Sequence, residues 1–284
     1  MTRMMSPNAR AFRLCARQEL VLAVRSRFLL IFAAVFAALA LLVASAGYVL
    51  TGGMGMQDFA RTAASLVELV LLVIPLAALV IGVTSLSLER GAAELLYSQP
   101  IARRTILVGR LTGLFLALVA AEAIGFGVSG LVLFARTGEG GVGSFLGVAT
   151  ASVMLTAIFL AVASAITGGG AIRRRARNLT AALVVWFAAV VLFDVAVLGV
   201  ASWLPSGPAS RVLMVSAIAN PVDAVRTATL MAVEGTTAFG AASLAFLRFT
   251  HGTFGAGSWL VASAVFWILA PLAIGAARLE RSDI

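Results

Sequence analysis

The chain has no lysine, one histidine (His251), one cysteine (Cys15) and two tyrosines, and only 12% of its 284 residues are charged. Each scarcity closes off a chemistry. Without lysine there is no nucleotide-binding loop of the Gly-x-x-x-x-Gly-Lys-Ser/Thr form, in which the lysine reaches the phosphates. If ATP drives this protein, a separate subunit binds it together with its magnesium, and this chain needs no cofactor of its own. A single histidine excludes the His-Glu-x-x-His zinc motif. His251 also falls outside the apolar runs, so no Ser-His or Cys-His pair is available at membrane depth. Cys15 has no partner for an internal disulfide. The charged fraction is about half that of a soluble domain.

What is present is apolar: 61% hydrophobic residues and a mean hydropathy of +1.06. Six continuous runs, at 28–50, 66–88, 106–134, 145–167, 179–204 and 257–278, are long enough to span a bilayer as helices. The expected fold is an all-α integral membrane domain over 1–284. Its parts are a cytoplasmic amphipathic segment (1–27), five spans (28–204), an external segment (205–256), and the last span with its tail (257–284). The first run starts too late and is too long for a cleavable signal peptide.

The net charge of +9 and pI near 11.5 record orientation rather than nucleic-acid binding. Arg3, Arg10, Arg13, Arg17, Arg25, Arg27, Arg90, Arg103, Arg104, Arg110, Arg173, Arg174, Arg175, Arg177, Arg278 and Arg281 all fall on one side of the six runs. Only Arg61, Arg136, Arg211, Arg226 and Arg248 fall on the other. This asymmetry places both termini in the cytoplasm, with the chain in a bacterial inner membrane surrounded by lipid.

Residues 8–27 read as an amphipathic helix lying flat on the inner leaflet, with Arg10, Arg13 and Arg17 on one face and Phe12, Cys15, Leu22 and Ala23 opposite. Glu19 interrupts that apolar face with no evident partner. Charges at membrane depth are costly, and three acids lie there: Glu122 in the third span, Asp194 in the fifth and Glu68 near the outer end of the second. Glu122 or Asp194 reads either as lining a route for substrate or as an acid that holds helices together. Gly125, Gly127 and Gly130, and the pairs Gly109/Gly113 and Gly143/Gly147, favour close helix packing. The 205–256 segment reads as short helices at the outer surface. In it Asn220 is a cap, Pro221 a first helical residue, Asp223 an acid at the positive helix end, and Arg226 a partner for Asp223. This is either a well-capped surface helix or a contact for an external partner. Met54 and Met56 have the softness for Cu(I) but make no coordination set, so no metal site is expected.

The most informative segment follows the second run. Glu89-Arg90-Gly91, Glu94-Leu95-Leu96-Tyr97-Ser98-Gln99-Pro100 and Arg103-Arg104 describe a short cytoplasmic helix, stopped by proline and followed by basic residues. An acid beside apolar and aromatic side chains suits a groove in another protein. The segment resembles the signature loop of ABC-2-type permeases, and the six-span layout extends the likeness over nearly the whole chain. Ala92-Ala93 stands where that family often has a threonine. The resemblance implies a coupling helix that docks on an ABC ATPase, a second contact through Arg173, Arg174, Arg175 and Arg177, and a homodimer. Asn220-Pro221-Val222-Asp223 with Arg226 further resembles the NosY type, permeases of the transporter that matures the copper sites of nitrous-oxide reductase. For that type the resemblance implies a periplasmic partner, here a repeat protein. An exporter of drugs or lipids is the alternative within the family. Outside it stands a secondary transporter that uses Glu122 and Asp194 as a relay.

Overall fold

The computed structural model describes residues 7–51, 56–87, 90–137, 142–168, 175–234 and 247–281. Among them every regular element is helical: α1 (Pro7–Val24), α2 (Arg27–Thr51), α3 (Met56–Leu86), α4 (Arg90–Tyr97), α5 (Arg103–Thr137), α6 (Val142–Thr167), α7 (Arg175–Phe187), a π turn (Ala188–Leu192), α8 (Phe193–Ser202), α9 (Ser206–Ala219), α10 (Pro221–Glu234) and α11 (Thr253–Arg281). Six stretches are long and apolar enough to cross a membrane: Arg27–Ser45, Ser65–Leu86, Arg103–Ala135, Val142–Thr167, Arg175–Ser202 and Thr253–Arg281. They match the six expected runs. The third and the last begin before their apolar windows because a helix does not stop where the hydrocarbon does. At ~1.5 Å per residue the 35 residues of α5 reach well past a bilayer core of about 30 Å.

The core forms where small residues let helices approach. Phe36 of α2 is fully buried and packs edge-on against Phe126 of α5, 5.2 Å between ring centroids, and Phe126 packs in turn against Phe145 of α6 at 5.6 Å. Gly125 makes room for this ladder, since a Cβ there would lie 2.5 Å from Phe36 Cδ1. Gly130 does the same for Phe145. The pair Gly143/Gly147 does not close a helix contact: Gly143 faces open space and a Cβ on Gly147 would have only Val233 near it, at 3.9 Å. A small-x-x-x-small spacing permits close approach but does not choose a neighbour.

Two elements depart from expectation in their packing. α1 is seated against α5. Phe12 and Cys15 abut Gly109, and Ala16, Glu19 and Leu20 abut Gly113, so α1 runs beside the protruding first turns of α5 in the same direction. Its buried face carries Ala11, Glu19 and Ala23, whereas Leu22 is 56% exposed.

The second departure is in the 205–256 segment. Of it, α9, α10 and the start of α11 are described. α9 and α10 form a hairpin that turns back into the bundle instead of resting on its surface. Its tip sits against the midpoints of two spans: Trp267 Nε1 and Ser263 Oγ of α11 donate to the Ala219 and Ile218 carbonyls (3.0 and 2.6 Å), and Asn220 Nδ2 donates to the Ala189 carbonyl (2.8 Å). The last carbonyls of α9 have no helical partner of their own, and α11 supplies one. Ala189 lies in the π turn, a widened geometry common at functional sites. A non-helical turn is tolerated at membrane depth when protein rather than lipid surrounds it.

Candidate functional site

Two polar clusters interrupt the apolar bundle, one at each end. At the arginine-rich end, α4 stands between α3 and α5. Its closing turn is made by the Ser98 amide donating to the Glu94 carbonyl (3.0 Å) and Ser98 Oγ donating to the Leu95 carbonyl (3.1 Å). Gly91, Glu94, Leu95, Ser98 and Pro100 are exposed, and Leu95 keeps 74% of its surface uncovered. Leu96 and Tyr97 turn inward. Burial pushes the Tyr97 phenol up, with Arg110 the leading group that pulls the other way, so the phenol is protonated at neutral pH. Arg103 lies over the Tyr97 ring at 6.0 Å and donates through Nη1 to the Leu279 carbonyl (2.9 Å). Arg104 donates through Nη2 to Glu280 Oε2 (2.8 Å). The start of α5 is therefore fastened to the far end of α11, with Arg103 also covering the Tyr97 ring of α4. Arg278 fastens α11 to the Ala165 carbonyl at the end of α6 (2.9 Å). Arg175 and Arg177 are exposed at the start of α7. Glu89, Arg173 and Arg174 lie outside the described residues, as does the side chain of Arg90.

Glu19 finds its partner here. Arg110 Nε donates to Glu19 Oε2 (2.8 Å), Arg110 Nη2 donates to the Ser85 carbonyl (2.6 Å), and Ser85 Oγ donates to Glu19 Oε1. Glu19 and Arg110 are 5% and 6% exposed. They border a cavity of about 380 Å³ that Thr84, Leu96 and Arg175 also line. Cys15 lies beside this pair, and burial pushes its thiol up. In the sequence Arg110 reads only as one more orientation arginine. The signal that sets it apart is its place between Gly109 and Gly113.

At the opposite end, the structure brings together residues that the sequence places in two groups. Arg226 Nη1 donates to Asp194 Oδ2 (2.8 Å) and Asp223 Oδ1 (3.1 Å), and Nε lies 3.5 Å from Glu68 Oε1. Three carboxylates from α3, α8 and α10 thus surround one guanidinium whose Nε has no hydrogen-bond partner among the described residues. The cap expected at Asn220 is made, with Oδ1 accepting from the Val222 amide (3.2 Å) and Nδ2 donating to Asp223 Oδ2 (3.1 Å). Asn220 and Pro221 are buried, and Asp223 and Arg226 are ion-paired inward. Of the two readings of this stretch, these contacts fit the well-capped helix: the side chains hold the hairpin, and pairing is what makes a charge near membrane depth stable.

Glu122 stands apart from both clusters. It is fully buried and accepts from Ser152 Oγ (2.5 Å) and Thr156 Oγ1, a turn apart on α6. Its described partners are hydroxyls, whereas Asp194 pairs with Arg226, so the two acids do not share a site. Among the described residues no group of three His, Cys, Asp or Glu side chains could hold a metal ion. Met54 lies outside them, as does the side chain of Met56.

Six helices long and apolar enough to span, a short exposed helix at the basic end and a hairpin folded into the opposite end define a polytopic α-helical membrane protein. The chain belongs to the ABC-2 family of transporter proteins, whose model matches residues 14–284. It is 32% identical over 239 residues to the "probable ABC transporter permease protein NosY" of Pseudomonas aeruginosa, covering 81% of this chain and 85% of that one. The protein of the same name from Stutzerimonas stutzeri is 32% identical over 240 residues, with the same coverage.

Proposed function

We infer that the chain is the membrane-spanning permease of an ABC transporter, driven by a separate ATPase that binds ATP and magnesium and docks on α4. The observation that carries this reading is α4 itself, a short helix that projects Glu94 and an uncovered Leu95 from the basic end while Arg103 of α5 covers its Tyr97 ring. An exposed apolar and acidic ridge suits a groove in a protein partner. The basic end is cytoplasmic on the arginine asymmetry, in an inner membrane. Two copies act together, with the arginines around Arg175 as a second ATPase contact.

Closure of the ATPase pair moves α4. The contacts then run from Arg103 and Arg104 to the end of α11, along α11 to Trp267 and Ser263, and into the hairpin tip that Arg226 ties to α3 and α8. Motion at one end is thereby delivered to the other as rigid-body displacement of packed helices. Likeness to the NosY proteins supports a role in copper-site maturation of nitrous-oxide reductase, with force or cargo passed to a periplasmic partner. The separation of Glu122 from Asp194 speaks against the relay of a secondary transporter.

The test is co-expression with candidate ABC ATPases, purification of the complex, and ATP hydrolysis by wild type and Glu94→Arg. The expected result is a stable wild-type complex and loss of coupled hydrolysis in a Glu94→Arg chain that still folds. Unchanged association and turnover in that variant would remove α4 as the docking helix.

A further inference from the structure

The geometry points to Arg110 as the positioning residue through which α4 moves α1 and α5 as one body. This rests on the reading that an ATPase docks on α4. The side chain stands at a junction of four elements. Its guanidinium holds Glu19 of α1 at 2.8 Å and the Ser85 carbonyl, at the close of α3, at 2.6 Å. Leu96 of α4 lines the same cavity as this side chain, and the helix that carries Arg110 is α5.

Three features make this a mechanical joint rather than a surface ion pair. Both charges are buried, so neither can exchange its partner for water without opening the packing. A guanidinium presents its donors in a fixed fork, so Glu19 and Ser85 are held at a set angle to one another. Beside it α1 and α5 touch backbone to backbone, for a Cβ on Gly113 would lie 2.8 Å from Glu19 Cβ and 2.9 Å from the Leu20 nitrogen. α1 cannot slide along α5, and what turns Arg110 turns both. α3 is joined to the same fork through a carbonyl in its last turns, where the chain leaves for α4. A shift of α4 therefore reaches α3 through the chain itself, and passes from the Ser85 carbonyl through Arg110 to α1 and α5.

The experiment uses the full-length chain in complex with its ATPase in nanodiscs. An environment-sensitive fluorophore sits on the exposed α1 position Arg17→Cys in a Cys15→Ser background, and the probe ligand is a non-hydrolysable ATP analogue with magnesium. In the parent complex the analogue shifts the α1 signal. Replacing both members of the pair (Glu19→Leu with Arg110→Leu) removes the fork while leaving no charge buried alone. The expected result is an assembled complex in which the α1 shift is abolished and stimulated hydrolysis falls about tenfold, a coupling loss in the range such contacts carry. Arg110→Lys keeps the charge without the fork and should retain the ion pair yet recover less than half of the shift. A full α1 shift in the assembled double-leucine complex would overturn the proposal, as would full recovery with lysine. A wild-type chain that captures no ATPase overturns the docking reading and this joint with it, whereas a docked and hydrolysing double-leucine complex that still moves α1 overturns the joint alone.

Discussion

The two charged clusters use the same chemistry under different balances. At the basic end one carboxylate meets one guanidinium, both nearly excluded from solvent, with Ser85 accepting from Arg110 Nη2 and donating to Glu19 Oε1. At the opposite end three carboxylates share one guanidinium, and the outermost of them, Glu68, is 62% exposed. The first arrangement is closed: each member is indispensable because its loss leaves the other buried and uncompensated. The second carries surplus negative charge and tolerates the loss of an acid, since the guanidinium keeps other partners. Balance and burial, more than the number of ion pairs, decide which cluster is a fixed joint and which is a clasp.

Breaking the closed cluster should have the largest effect. Arg110→Ala leaves Glu19 without its cation and is expected to destabilise the chain by about 3–5 kcal/mol, seen as a large drop in the thermal unfolding midpoint in detergent. An unfolding midpoint close to wild type would show that the pair is solvated. Next comes Gly113→Val, which drives a side chain into Ala16 and Glu19 and should cost roughly 1–3 kcal/mol by overpacking. It should also free Cys15, whose raised thiol keeps the thiolate scarce near pH 7. Maleimide labelling of Cys15 is expected to be slow in wild type, to quicken as pH rises toward the elevated pKa, and to quicken at constant pH in the valine variant. Equal rates in the two chains would mean that α1 is not held on α5.

The open cluster should respond less. Asp194→Asn keeps Arg226 paired with Asp223 and is expected to cost about 1 kcal/mol, with Glu68→Gln within about 0.5 kcal/mol because that acid is mostly exposed and screened. If Glu68→Gln proved as damaging as Arg110→Ala, the contrast between the clusters would collapse. Smallest of all, Gly143→Ala meets nothing within 4 Å and should be neutral or stabilising by up to ~1 kcal/mol through helix propensity.

The places where sequence reading succeeded and failed follow from the range of the forces involved. The Asn220 cap and the Asp223–Arg226 pair were legible because both join residues two or three apart, within reach of local rules. Glu19 was legible as an anomaly but not as half of a pair, since its partner is 91 residues away. The hairpin was misplaced because two 14-residue helices are too short to span, and hydropathy cannot tell a short helix on the surface from one that re-enters. Glycine spacing predicted contacts at Gly109/Gly113 and Gly125 correctly and at Gly143/Gly147 wrongly, because glycine only permits an approach that another helix must make.

The sequence by itself determined the solvent, the six spans, the arginine asymmetry and the exposed helix after the second span. These depend on composition and on periodicity within one helix, which the chain carries locally. Only the tertiary structure decided that α1 stands along α5, that Glu68, Asp194 and Asp223 converge on Arg226, and that the hairpin tip rests on the midpoints of α8's span and α11. Inside a bilayer the hydrophobic effect does not select among helix partners, so packing and the pairing of a few polar groups choose them, and that choice is made in three dimensions.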